Sequence, residues 1–503
     1  MSAFIAATRA GKVGGAEIAD GVVAWLGVPY AAAPVGELRL RAPEPAVGWG
    51  GVREATSFGA PALQAQLEFA AGASSGLGGA PLEMPAPSED CLHLNVIAPV
   101  GATERPVVVW IHGGGYQSGN ATTTAGDGAR FARDHGVVVV TFNYRLGALG
   151  FLAVEGEAHS GALGLHDQIA ALRWVRENIA AFGGDPNRVT VYGISAGAKS
   201  VANLLASPLA KGLFHQAASS SGGADHVATP GQAASVAARF FRELGTGPEN
   251  IRRVSAEEII AAQNAMGSGM KTTWVWRPMI DGSALTSRPL DAVAAGSAAG
   301  IPLLAQTCVN ECYLYELMSP GAGEQAGRVL REYFGETGRD EVFAAYAAAR
   351  PELADDPVRL GVEIMTDERY GIPTTRLADA QSAHAPVWRS RYDVPLTGLP
   401  TSIVPGGVLP AMHGTDGGPI WDGGEAGSVA ALIHQAWGDF VTSGNPSARG
   451  LPDWPGYDAS RRATLIFDDP QPWLAEDPNG AQRAAWDGRE WPSGTWWSLD
   501  AAV

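Results

Sequence analysis

Gly193-Ile194-Ser195-Ala196-Gly197 stands between an apolar run, Val189-Thr190-Val191-Tyr192, and a helix-forming segment, residues 198–206. A buried strand that passes straight into a helix leaves room for only a tight turn. Glycines at both ends of the turn let the two backbones approach where side chains would collide. The serine between them must take a strained conformation that raises its Oγ to the top of a sheet. With 65 glycines in the chain a bare G-x-S-x-G arises by chance, so the flanking strand and helix carry the weight. A plainer reading makes Ser195 only a helix cap. A histidine, an acid and an oxyanion-binding loop in the right order would separate the two.

The strand before the elbow has companions. Residues 106–111 (PVVVWI) and 137–142 (VVVVTF) are continuous apolar runs, as expected of strands buried on both faces of a sheet. Residues 166–180 set Ile169, Leu172, Val175 and Ile179 at helical spacing, and Gly183-Gly184-Asp185-Pro186 stops that helix. Residues 301–305 and 386–393 read as later strands, and 429–442 as a late helix. This alternation predicts an α/β fold with a mostly parallel central sheet and helices on both faces. Residues 324–385 are helical in composition and read as a cap or insertion. Residues 70–87, rich in Gly, Ala, Ser and Pro, read as a long loop or lid. No linker divides 1–503, so one elaborated domain is expected, large for a single core.

A formal charge of −17 argues against nucleic acid or an anionic membrane surface as partner. No apolar stretch reaches the roughly 18 residues of a membrane span, and the start of the chain lacks the pattern of a secretion signal. Three cysteines, Cys91, Cys308 and Cys312, suit a reducing cytoplasm better than a disulfide framework. Cys308 and Cys312 lack a second pair or a nearby histidine, so neither a metal nor another cofactor is expected. Oligomeric state is not legible.

His112-Gly113-Gly114-Gly115-Tyr116 follows directly on the strand 106–111. Acyl transfer needs backbone N–H groups aimed at the oxyanion that forms on a substrate carbonyl, and a glycine run bares them. Of the ten histidines, His413 is preferred as general base because it stands in a late loop, Met412-His413-Gly414-Thr415-Asp416. His135, His159, His215, His226, His384 and His434 read as ordinary surface or core residues. The acid is best placed at Glu311, just beyond the strand 301–305, although a carboxylate there also suits a helix N-terminus. Asp281 and Asp416 are its competitors. The order Ser195, Glu311, His413 is the one α/β-hydrolases use.

With these residues in hand, the chain resembles the type-B carboxylesterase/lipase family, which includes the cholinesterases and bacterial p-nitrobenzyl esterase-like enzymes. The likeness extends over about 450 residues. It is carried by Val28-Pro29-Tyr30-Ala31, Pro34-Val35-Gly36-Glu37-Leu38-Arg39 and Glu89-Asp90-Cys91-Leu92-His93-Leu94-Asn95. Further blocks are Asn143-Tyr144-Arg145-Leu146-Gly147, Gly164-Leu165-His166-Asp167-Gln168, residues 182–197 and residues 437–446. The resemblance implies an α/β-hydrolase fold and a cofactor-free serine esterase acting on uncharged carboxylic esters of small to medium size. Carbamates or amides are the related alternative, and a catalytically silent binding protein of the same fold is the remote one. It implies Ser195 as nucleophile, Glu311 as acid and His413 as base, with the N–H groups of Gly114, Gly115 and Ala196 as oxyanion hole. Ser221 matches a serine that supports the acid–base end. Two departures stand out. Ile194 replaces the family's glutamate, which should weaken attraction for cationic alcohols. No cysteine precedes Cys91, which implies an unbridged loop over 62–90.

Overall fold

Apolar runs become strands, and their C-terminal ends are where chemistry-bearing residues gather. The structure is a computed structural model that describes residues 4–64, 85–122, 128–224, 226–267, 275–399 and 405–491. Among these, thirteen strands join in one sheet. They are β1 (Phe4–Ala7), β2 (Lys12–Ala19), β3 (Val22–Pro29), β4 (Val52–Glu54), β5 (His93–Pro99), β6 (Arg105–Ile111) and β7 (Val138–Phe142). The remainder are β8 (Gly184–Ile194), β9 (Gln216–Ser220), β10 (Leu303–Cys308), β11 (Val387–Tyr392), β12 (Ala463–Phe467) and β13 (Trp473–Glu476).

The strand order is β1-β2-β3-β5-β7-β6-β8-β9-β10-β11-β12-β13, with β4 beside β2. Pairings from β7 through β12 are all parallel. The outer pairs β1–β2, β2–β3, β3–β5, β5–β7 and β12–β13 are antiparallel. The sheet is therefore mixed, with a parallel centre. Chain order reverses around β6, which has β7 on one side and β8 on the other. In such sheets ligands bind in the crevice at the carboxyl ends of the strands flanking that switch. Register sets Ile111 opposite Gly193 and Gly193 opposite Ser219, so β6, β8 and β9 end side by side.

Both faces of the parallel centre are covered, which is why its strands do not alternate in polarity. Val107, Val109, Ile111, Val138 and Val140 pack into one apolar cluster. Val108, Trp110, Val137 and Val139 pack into a second. Each valine so buried contributes about 1.5–3 kcal/mol of transfer free energy.

The helix expected over 166–180 forms over Leu163–Asn178, and the strand expected at 301–305 lies at Leu303–Cys308. Segment 324–385 folds into helices Gln325–Ala349, Pro357–Thr366 and Ile372–Ser382, the first kinked at Gly335. Of the expected 70–87 loop, all but residues 85–87 lies outside the described residues. No helix among the described residues is long and apolar enough to cross a membrane.

Candidate active site

Ser195 follows the last residue of β8 and caps the helix Ala196–Ala206 with φ 58° and ψ −122°. A left-handed φ on a residue with a Cβ costs of order 1–3 kcal/mol and persists only where the surroundings impose it. Here they do. A Cβ on Gly193 would lie 2.2 Å from the Gly197 backbone, and one on Gly197 would lie 2.0 Å from the Ile111 carbonyl oxygen. Ser195 also donates its N–H to the Ser220 carbonyl at 2.9 Å, which ties the elbow to the end of β9. Its side chain caps nothing: no side-chain hydrogen bond is made at this helix start.

The glycine loop after β6 lies against the serine. A Cβ on Gly113 would sit 3.0 Å from the Ser195 Cβ. Gly114 and Gly115 have φ of 105° and 63°, and a Cβ on Gly114 would lie 2.1 Å from the Ser118 carbonyl oxygen. Only glycine fits such a path, which leaves this stretch of backbone bare of side chains. Tyr144 holds the loop's start by donating its hydroxyl to the His112 carbonyl at 3.0 Å. Ile194, which is 9% exposed, packs in the second apolar cluster.

Glu311 lies just past β10 with no exposed surface, and it uses both oxygens. Oε1 accepts the Cys308 N–H at 2.8 Å, and Oε2 lies 2.7 Å from His413 Nδ1. The His413 N–H also donates to the Glu311 carbonyl at 3.3 Å. The competing acids are engaged elsewhere. Asp416 Oδ2 accepts from Gln306 at 2.7 Å, and burial, with Glu311 close by, pushes its carboxyl above the usual range. Asp281 lies 2.9 Å from His166. Ser221 is buried at φ 57°, its N–H donating to Gln306, but among the described residues no hydrogen bond joins its hydroxyl to Glu311 or His413.

One group at this end of the sheet escapes motif reading. Lys199 sits one helical turn after Ser195, fully buried, in a helix whose every residue is buried. Its Nζ donates to the Gly222 and Arg369 carbonyls, each at 3.2 Å, and lies 4.9 Å from the centre of the Tyr370 ring. That ring is 4.7 Å from the His413 ring, and the Tyr370 hydroxyl meets that of Tyr315 at 2.6 Å. Burial pushes Lys199 down to about 7, Glu368 opposes the shift, and Arg277 and Arg369 add to it. The available signal was a lone lysine among Ala, Ser, Val and Leu at core spacing.

A serine on a strained turn beside a bare glycine backbone, with an imidazole held by a buried carboxylate at the same sheet end, is suited to acyl transfer. Comparison with known proteins agrees with that chemistry. The model of the carboxylesterase family matches residues 2–486. The para-nitrobenzyl esterase of Bacillus subtilis is 38% identical, over 96% of this chain and 98% of its own. The phenmedipham hydrolase of Pseudarthrobacter oxydans is 34% identical, over 94% and 97%. Among solved structures, a PNB esterase superposes with a TM-score of 0.82 at 35% identity, covering 96% of this chain and 99% of that one. A Geobacillus stearothermophilus carboxylesterase gives the same TM-score of 0.82 at 35% identity, covering 96% and 100%.

Proposed function

The chain belongs to the carboxylesterase family and is a serine carboxylic-ester hydrolase, and from that premise we propose that Ser195, His413 and Glu311 carry the reaction. The observation that carries the assignment is the 2.7 Å contact between Glu311 Oε2 and His413 Nδ1. A proton held on Nδ1 leaves Nε2 as the base. His413 takes the Ser195 proton as Oγ attacks the ester carbonyl, and the Gly114, Gly115 and Ala196 N–H groups receive the oxyanion. The imidazolium returns the proton to the departing alcohol, giving the acyl-enzyme. Water, activated by the same imidazole, then releases the acid and restores Ser195.

The substrates we assign are small to medium uncharged esters. Ile194 supports this, since no carboxylate stands next to the nucleophile to attract a cationic alcohol. Ser221 is assigned a backbone role at the acid–base end, supported by its N–H bond to Gln306. The whole chain is read as one domain in a bacterial cytoplasm. The buried thiols of Cys91, Cys308 and Cys312 favour that compartment.

The test is a fluorophosphonate label followed by peptide mapping, with Ser195→Ala alongside. The label should fall on Ser195. The variant should lose roughly 10⁴- to 10⁶-fold in kcat while keeping its circular dichroism and melting profile. Near-full ester hydrolysis by folded Ser195→Ala would sink the assignment.

A further inference from the structure

We propose that His159, His166 and Asp281 form a binding site for one divalent transition-metal ion, with Zn²⁺ its best-matched occupant. One donor atom from each residue lies within 4.8 Å of the other two. His166 Nε2 is 2.9 Å and His159 Nδ1 3.8 Å from the same Asp281 oxygen, Oδ2. The two imidazole rings are 4.6 Å apart. Two imidazoles and a carboxylate are the donor set of an open zinc site, with ligand distances of about 2.0–2.2 Å. Donor atoms around such an ion are roughly 3.3 Å apart, so a small rotation of His159 closes the set.

Two further features fit a ligand set. The Asp281 side chain has no exposed surface, and its other oxygen, Oδ1, accepts the N–H groups of Ser283 at 3.0 Å and Leu285 at 2.9 Å. Those bonds fix the direction of Oδ2, as outer-shell partners do for metal-binding carboxylates. His159 sits at φ 63°, a conformation that residues with a Cβ seldom take but that histidine tolerates better than most. The backbone turn thereby brings an imidazole from the 153–162 loop onto the carboxylate.

The site has access. His159 and Asp281 line a cavity of about 570 Å³, together with Glu155, Glu157 and Met279. Glu157 is committed to Arg252 at 2.7 Å, so a fourth ligand would come from the cavity side as water. Soft thiolates are absent from the set, and imidazole nitrogen with one carboxylate favours zinc, cobalt or nickel over calcium or magnesium. The three residues stand on the 153–162 loop, the helix Leu163–Asn178 and the 279–285 segment, so the ion's role would be to fasten these three together.

Tag-free chain, stripped with chelator and dialysed, is titrated with Zn²⁺ by calorimetry and with Co²⁺ by visible absorption. One Zn²⁺ per chain is expected, with visible Co²⁺ bands of a low-coordinate site and a melting temperature that rises on Zn²⁺ addition. His159→Ala changes a half-exposed side chain and should fold normally. Its Zn²⁺ affinity should fall by more than the roughly 10- to 100-fold that losing an outer partner costs. Asp281→Asn should do the same, and His384→Ala should not. Protons compete for imidazole nitrogen, so affinity should weaken as pH falls. The absence of saturable Zn²⁺ uptake, or uptake unchanged in folded His159→Ala, overturns the proposal.

Discussion

Lys199 shows what a single buried charge does inside a core helix. An ammonium without exposed surface loses hydration that two carbonyls and one aromatic face replace only in part. Its proton is therefore held far more weakly in the folded chain, at about 7, than the 10.5 usual for lysine. Between those values the unfolded chain binds a proton that the folded chain does not, so this group makes stability rise with pH from 7 to 10.5 and adds no slope below 7. Lys199→Met removes that slope. Relative to the native protein, the variant's melting temperature should be highest at or below pH 7 and should lose ground steadily toward pH 10. Parallel melting curves across that range would show that Lys199 stays charged throughout. The bonds to Gly222 and Arg369 set the offset between the two proteins, but they do not change the sign of this slope. Motif reading passed over this lysine because the pattern around Ser195 specifies glycines and a serine, and leaves the second helical turn free.

The elbow, by contrast, was legible as an element, for a steric reason. A strand and a helix can meet at so tight an angle only if Gly193 and Gly197 carry no Cβ, and that requirement is written directly in residue type. The loop glycines Gly114 and Gly115 after β6 are legible for the same reason. Element ends were less so. The helix begins at Leu163 rather than His166, and β10 runs on to Cys308, because buried ends are decided by packing partners distant in sequence. Gly197→Ala is expected to cost several kcal/mol or to abolish folding, since the new methyl would enter the Ile111 carbonyl at 2.0 Å. Gly231→Ala, in the helix Pro230–Leu244 with open space around it, should be neutral or slightly stabilising. Thermal unfolding and ester turnover of the two variants decide the matter. A Gly197→Ala enzyme that melts and turns over like the native one would mean that the elbow is not close-packed.

Across the whole molecule, stretches that the sequence shows as separate blocks turn out to be partners. The block ending at Arg39 and the block opening at Glu89 meet in a two-pronged ion pair, with Arg39 Nε donating to Glu89 at 2.6 Å. The same guanidinium donates to the carbonyls of Ile251 at 3.3 Å and Val254 at 2.5 Å, so one side chain joins three distant segments. Sequence pattern alone reveals that such blocks exist but not which ones touch, because the contact is set by how the sheet brings loops together. The pair is largely buried, with side-chain exposures of 11% and 13%, so losing one partner strands the other charge at a cost of about 3 kcal/mol. An unfolding entropy of about 2 cal/mol/K per residue turns that into a fall of about 3 °C for a chain of 503 residues that melts as one unit. Arg39→Met should show that fall by calorimetry. Arg39→Met combined with Glu89→Leu should recover part of it, since no charge then remains stranded. Equal losses in the single and double variants would instead place the stabilisation in the carbonyl contacts at 251–254. A native melting temperature in both would mean that these segments are held together by the sheet alone.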